Sequence, residues 1–318
     1  MITAALRLKG GAQSSFNPRF VPERMTVGFV GIGTMGEPMV RCLLRAGYQV
    51  VVSAHQKRER VDRVVSEGAH EAKRPSDIAE QCDFLITCVP DAPHVEDAIF
   101  GRNGLFAGTR SPKMFVDMST ISPLATVRFA ERLIKEGHRF ADAPVSGGPA
   151  RAADGSLTIM VGATEEDFAA ASPVLGAMGN PTRVGAVGMG ETVKLTNQIL
   201  IANIMLANAE ALSFARKAGA DPSVVRDVIA TATGANYLLQ TWLPKTWFSQ
   251  SFEGGFAMDL LRKDLNAALE AARSMNLPMP STALASQFYT AQAAKGDAGR
   301  DYSAVAKFYE QFTQDSGR

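Results

Sequence analysis

Between a β-rich run and a helical pattern, the stretch GFVGIGTMGEPM (28–39) carries Gly31-x-Gly33-x-x-Gly36. No other feature narrows the possible folds as much. The first glycine of such a spacing makes a tight turn, the second admits a ligand close to the backbone, and the third lets helix and strand pack closely. The loop Gly31, Ile32, Gly33, Thr34, Met35 and Gly36 then places a helix N-terminus behind any bound anion. Following a strand and opening a helix, it reads as a dinucleotide-binding loop; glycines that serve only a turn are the plainer alternative.

The first half of the chain supports that context. Met35, Met39 and Leu43 fall at i, i+4 and i+8, a helical spacing that Gly47 closes. Further strand patterns are predicted at 48–53, 83–89, 113–118, 138–144 and 157–162, with helical patterns between them. Such alternation predicts an α/β fold, a Rossmann-type doubly wound and mostly parallel sheet. After about Gly188 the texture changes. Residues 191–220 show no strand alternation and are apolar on most sides, which predicts a long buried interdomain helix. Segments such as DPSVVRDVI, with Asp221 as N-cap and Pro222 at N1, extend this into an all-α domain. The expected organisation is a flexible extension over 1–24, a dinucleotide-binding domain over 25–188 and an all-helical substrate and oligomerisation domain over 189–318.

Charge excludes some partners. Lys plus Arg number 33 and Asp plus Glu 32 in 318 residues, so nothing invites nucleic acid or an anionic membrane. No continuous apolar run reaches the roughly 18 residues of a membrane span. Three cysteines without C-x-x-C spacing and four scattered histidines argue against a disulfide framework or a metal site, and fit a reducing cytoplasm.

An NAD site requires an acid at the end of the second strand to bond the ribose 2′-hydroxyl. Residues 49–58 read QVVVSAHQKR, with no carboxylate. His55, Lys57 and Arg58 are placed to meet a 2′-phosphate, so NADP(H) is favoured. A solvated basic loop is the alternative, which keeps NAD(H) open.

The stretch GMGETVKLTNQIL (188–200) sets Lys194 three residues before Asn197 and four before Gln198, on one helix face. An ammonium is costly to bury. In a cleft it can protonate a carbonyl oxygen as hydride reaches carbon, and its ordinary pKa of about 10.4 keeps it charged for that task. A lysine snorkelling from a helix end is the competing reading.

Four ordered blocks now resemble the β-hydroxyacid dehydrogenases: GFVGIGTMGEPM (28–39), DMSTISP (117–123), DAPVSGGPARAADGSLTIMVG (142–162) and GMGETVKLTNQ (188–198). FAMDLLRKDL (256–265) follows as a fifth. The resemblance implies that Lys194 is the catalytic lysine with Asn197 beside it, and that Ser146, Gly147 and Gly148 bind a substrate carboxylate. It also implies that Val89, Pro90, His94, Thr120 and Lys263 contact a nicotinamide cofactor. Members commonly form homodimers or homotetramers. The Asn197–Gln198 pair looks more like the branch that reduces tartronate semialdehyde; 3-hydroxyisobutyrate and succinic semialdehyde chemistry are the runners-up. Thr196 stands where sugar-phosphate relatives place a histidine. A binding module that has lost its chemistry is the reading from another class.

Overall fold

A computed structural model of the chain describes residues 25–55 and 58–313. The extension expected over 1–24 and the side chain of Lys57 lie outside the described residues. The chain divides into two compact units, with the boundary between Lys194 and Leu195.

Among the described residues, unit 1 has nine strands: β1 (Thr26–Val30), β2 (Gln49–Ser53), β3 (His70–Ala72), β4 (Phe84–Thr87), β5 (Met114–Asp117), β6 (Arg139–Asp142), β7 (Val145–Ser146), β8 (Leu157–Gly162) and β9 (Gly179–Gly185). Their order is β3-β2-β1-β4-β5-β6-β8-β7, with β9 paired to β8. From β3 to β6 every pairing is parallel; β8 then runs antiparallel to β6 and β7. The order reverses at β1, where β2 lies on one side and β4 on the other.

Strands buried on both faces are apolar at successive positions, and β4 shows why. Phe84 and Ile86 enter one core with Phe29, Met39 and Leu43, while Leu85 enters the opposite core with Ile78, Phe115 and Leu133. Helices cover both faces: α1 (Gly36–Arg45), α2 (Glu59–Ser66), α3 (Pro75–Gln81), α4 (Ala92–Phe100), α5 (Pro123–Lys135), α6 (Gly148–Ala153) and α7 (Glu165–Gly176). Gly47, at φ +86°, ends α1 as its spacing predicted: its N–H donates to the Leu44 carbonyl and that of Tyr48 to Leu43.

The 29-residue α8 (Met189–Lys217) carries the chain from unit 1 into unit 2. Unit 2 continues with α9 (Pro222–Ile229), α10 (Met258–Ser274), α11 (Pro280–Gln292) and α12 (Lys307–Thr313). Asp221 caps α9 as expected, accepting the Ser223 N–H at 2.8 Å. Met205, Leu212, Leu243, Trp247, Leu261, Leu265 and Tyr289 form its core. A loop between α9 and α10 is tied by the buried Asp301 carboxylate, which accepts from Trp242 Nε1, the Phe256 N–H and the Ser303 N–H, each at 3.0 Å. Trp247 is therefore a core residue.

The structure departs from the sequence pattern in two respects. Strands β3 and β9 escaped the pattern reading because both carry exposed polar residues: β3 is three residues long, and β9 (GNPTRVG) contains Gly and Pro. The division between the two compact units lies inside α8, a helix that passes through it without a break. Finally, α8 is not buried all round. By length and composition it could cross a bilayer, and Ala202, Met205, Ala209 and Leu212 do sit in a core, but Leu200 is 53% and Phe214 77% exposed. Apolar composition marks a helix for packing without telling how much of its circumference is covered.

Candidate active site

The glycine loop joins β1 to α1. Gly31 has φ +107°, and a Cβ there would lie 2.2 Å from the Cys88 carbonyl oxygen, so β1 and the end of β4 approach this closely only with glycine. A Cβ on Gly36 would lie 2.1 Å from the Gly31 oxygen. Gly33 differs: nothing lies within 4 Å of its Cβ position, and it is exposed. Open space over the backbone, with the α1 N-terminus behind it, fits the pyrophosphate of a dinucleotide. Ile32 turns toward the core, Thr34 is exposed and Met35 half-buried.

At the end of β2, His55 is exposed. Arg58 is committed elsewhere. Its guanidinium bonds both Glu71 oxygens at 3.0 Å and Asp62 Oδ1 at 2.9 Å, and these partners, Glu71 foremost, raise its pKa. The guanidinium that reaches the glycine loop belongs to Arg60: Nη2 donates to Thr34 Oγ1 at 3.3 Å and Nη1 to Glu37 Oε2 at 3.2 Å. Glu37, 5% exposed, also accepts from Arg63 Nε at 2.7 Å and Arg63 Nη2 at 2.8 Å. The Arg63 hydrogen bonds, chiefly, hold its carboxyl below the usual range, against the opposing effect of burial. The sequence reading missed this cluster. Its signal was the run RERVDR (58–63) opposite an acid in the first turn of α1.

The ends of β4 and β5 are linked where Val89 N–H donates to Ser119 Oγ at 3.0 Å. Pro90 is exposed beside Val89, and Thr120 is half-buried beside Ser119. Asp91 caps α4, accepting the His94 N–H at 3.1 Å, and its carboxylate lies 2.5 Å from His94 Nδ1. The glycine loop, Val89, Pro90 and Thr120 thus collect at the carboxyl ends of β1, β4 and β5, around the point where strand order reverses. Ligands of doubly wound sheets bind at that point.

Beyond β6 the chain forms a short open cradle. Ser146 ends β7, and Gly147 (φ +138°) and Gly148 (φ +67°) follow, all half-buried. Arg151 folds under Gly147 and donates to the Ser156 carbonyl, closing its own loop. Asp142 at the end of β6 does something the sequence did not announce. Its Oδ1 accepts the Gly188 N–H at 2.7 Å and its Oδ2 the Glu191 N–H at 2.9 Å, which anchors the first turn of α8. Burial pushes its pKa up to about 7 despite these two bonds. Lys194, 7% exposed, lies one turn further along α8.

Unit 2 has a polar chain of its own. Asn197 Nδ2 donates to Gln198 Oε1 at 3.0 Å, and Gln198 Nε2 donates to Asp264 Oδ2 at 2.7 Å. Asp264 Oδ1 lies 2.9 Å from Lys263 Nζ. Gln198 and Asp264 are each 1% exposed. Lys263, for which the resemblance implies a cofactor contact, is ion-paired with Asp264. The thiols offer no rival nucleophile among the described residues that are buried: burial raises the pKa of Cys42, and that of Cys82 to about 12.

Comparison with known proteins gives concordant matches. A family profile described as the NAD binding domain of 6-phosphogluconate dehydrogenase matches residues 26–190. A second, described as the NAD-binding domain of NADP-dependent 3-hydroxyisobutyrate dehydrogenase, matches residues 188–309. The chain is 39% identical over 289 residues to 2-(hydroxymethyl)glutarate dehydrogenase of Eubacterium barkeri, covering 90% of this chain and 95% of that protein. It is 39% identical over 287 residues to 2-hydroxy-3-oxopropionate reductase of Escherichia coli (strain K12), covering 90% and 97%. A solved structure of Mycobacterium tuberculosis 3-hydroxyisobutyrate dehydrogenase with L-serine superposes with a TM-score of 0.82 at 30% identity, over 89% of this chain and 98% of that one.

Proposed function

The chain belongs to the β-hydroxyacid dehydrogenase family, an NAD(P)-dependent oxidoreductase acting on a CH–OH group, and from that premise we propose that it reduces a small carboxylate-bearing semialdehyde to the hydroxyacid. Tartronate semialdehyde, giving glycerate, is the first choice of substrate and NADPH the preferred reductant.

The observation that carries the reading is Lys194, an ammonium 7% exposed on a helix whose first turn is anchored. The nicotinamide supplies hydride when bound. Lys194 donates the proton that the carbonyl oxygen takes up as the alcohol forms, and its charge stabilises the developing alkoxide. Ser146 and the backbone of Gly147 and Gly148 receive the carboxylate, since amides of consecutive residues in turn conformations form an anion cradle. Asn197, whose amide donates to Gln198, presents its oxygen to a substrate hydroxyl. Asn197 is half-buried, and a polar partner for a substrate hydroxyl favours a hydroxyl-bearing substrate over a methyl-bearing one. For the cofactor, support comes from the lack of a carboxylate at 53–55 and from Arg60 beside Thr34.

The test follows absorbance of the reduced nicotinamide, NADPH and NADH in parallel, on adding tartronate, methylmalonate or succinic semialdehyde. Turnover of tartronate semialdehyde above the other two, faster with NADPH, is expected. Faster turnover of methylmalonate semialdehyde would reassign the substrate, and silence with all three would leave a cofactor-binding protein of another purpose.

A further inference from the structure

We infer that Asp142 is a positioning residue for Lys194: it caps, from a neighbouring strand, the helix that carries the lysine. This rests on the reading of Lys194 as the proton donor. The N-cap position of α8 is Gly188, at φ +89°, and it has no side chain with which to satisfy the amides of the first turn. An ordinary N-cap side chain would accept the N–H of the third helical residue. Here that residue is Glu191, and its N–H is taken by Asp142 Oδ2 at 2.9 Å, while Oδ1 holds the Gly188 N–H at 2.7 Å. The carboxylate therefore fixes where the helix begins and places negative charge at its positive end.

The packing around the cap leaves little slack. A Cβ on Gly162 would come within 2.3 Å of Asp142 Oδ1. On Gly190 it would lie 2.7 Å from Asp142 Oδ2 and 2.4 Å from the Met160 carbonyl oxygen. Strand β6 is itself held in the sheet by β5, with Asp117 opposite Asp142 in register. The other acids near the cap are that Asp117 and the buried Glu191. From the Glu191 amide to Lys194 is less than one helical turn, and a helix transmits displacement of its first turn as a rigid rod over that distance. The position of the ammonium is thus set by a carboxylate on the sheet, 52 residues earlier in the chain (194 − 142).

The experiment compares D142A, D142N and G190A with the unmodified protein at pH 8, above the value of about 7 to which burial pushes Asp142. Kinetics, NADPH affinity and amide hydrogen exchange over 188–194 are measured on each. Misplacement of a catalytic group by about 1 Å costs about 100-fold, so kcat should fall 10- to 100-fold in D142A and in G190A, with NADPH Kd changed by less than about threefold. D142N retains one acceptor oxygen and should recover part of the loss; if D142A does not fold, D142N carries the comparison. Exchange over 188–194 should accelerate in all three. A kcat within twofold of the unmodified protein, with exchange accelerated, would make Asp142 a structural cap only and overturn the inference. So would a parallel loss of NADPH affinity. If the unmodified protein is silent toward every semialdehyde, the proposed function fails on that ground alone, and unchanged exchange in the variants would separately overturn the cap.

Discussion

Lys194 is the residue on which the proposed reaction turns. Replacing it with alanine removes both proton donor and charge, so kcat/KM for the semialdehyde should drop about 10³-fold or more, while NADPH Kd stays within a few-fold; retained turnover would move the proton donor elsewhere. Cofactor choice is argued at the same scale. Arg60 reaches Thr34 in the glycine loop, whereas Arg58 is occupied by Glu71 and Asp62. R60Q should therefore weaken NADPH binding about tenfold, roughly the worth of one charge-assisted phosphate contact, and leave NADH unchanged, with R58Q affecting neither. Equal weakening of both cofactors by R60Q would place that cation at the pyrophosphate instead. The sequence shows basic residues over 55–60 and does not show which of them is available to a ligand. Which guanidinium is available depends on Glu71 of β3 and Glu37 of α1, partners that neither composition nor spacing along 55–60 specifies.

Among the elements, α1 and α2 are joined by the buried Glu37, which binds Arg63 twice and Arg60 once. Its folded-state pKa is depressed, so its contribution to stability is present above the ordinary carboxylate value and is lost as pH falls through the depressed one. The Arg60 and Arg63 side chains stay 35% and 49% exposed, so solvent screens these pairs and losing them costs about 1 kcal/mol. E37Q should therefore unfold earlier in urea at pH 7 by that amount, and the difference from the unmodified protein should shrink below pH 4. A constant difference across that range would mean that lost packing, not the charge, causes the effect. Helix α8 was legible in existence and place because thirty residues without breakers allow little else. How it begins was not legible, because its cap comes from β6.

For the whole molecule, a ligand that binds only the folded state stabilises it by RT ln(1 + [L]/Kd), about 2.7 kcal/mol at a hundred times Kd. NADPH should accordingly raise the melting temperature, and more than NADH at equal concentration, since the open backbone at Gly33 and the α1 N-terminus belong to the folded sheet edge alone. The reverse ranking would refute the cofactor preference. The sequence by itself determined the mostly parallel sheet, the glycine loop between its first strand and helix, the helical segments that follow and the family, because these rest on local periodicity and on residues adjacent in the chain. Tertiary structure decided the rest. It chose the edge strands β3 and β9, which carry exposed polar residues and so no apolar signature, and it chose the partners that orient the site. Asp142 meets Gly188 across 46 residues and Gln198 meets Asp264 across 66. A hydrogen bond at that separation is fixed by where the packed strands and helices place its two ends, and the intervening sequence holds no record of it.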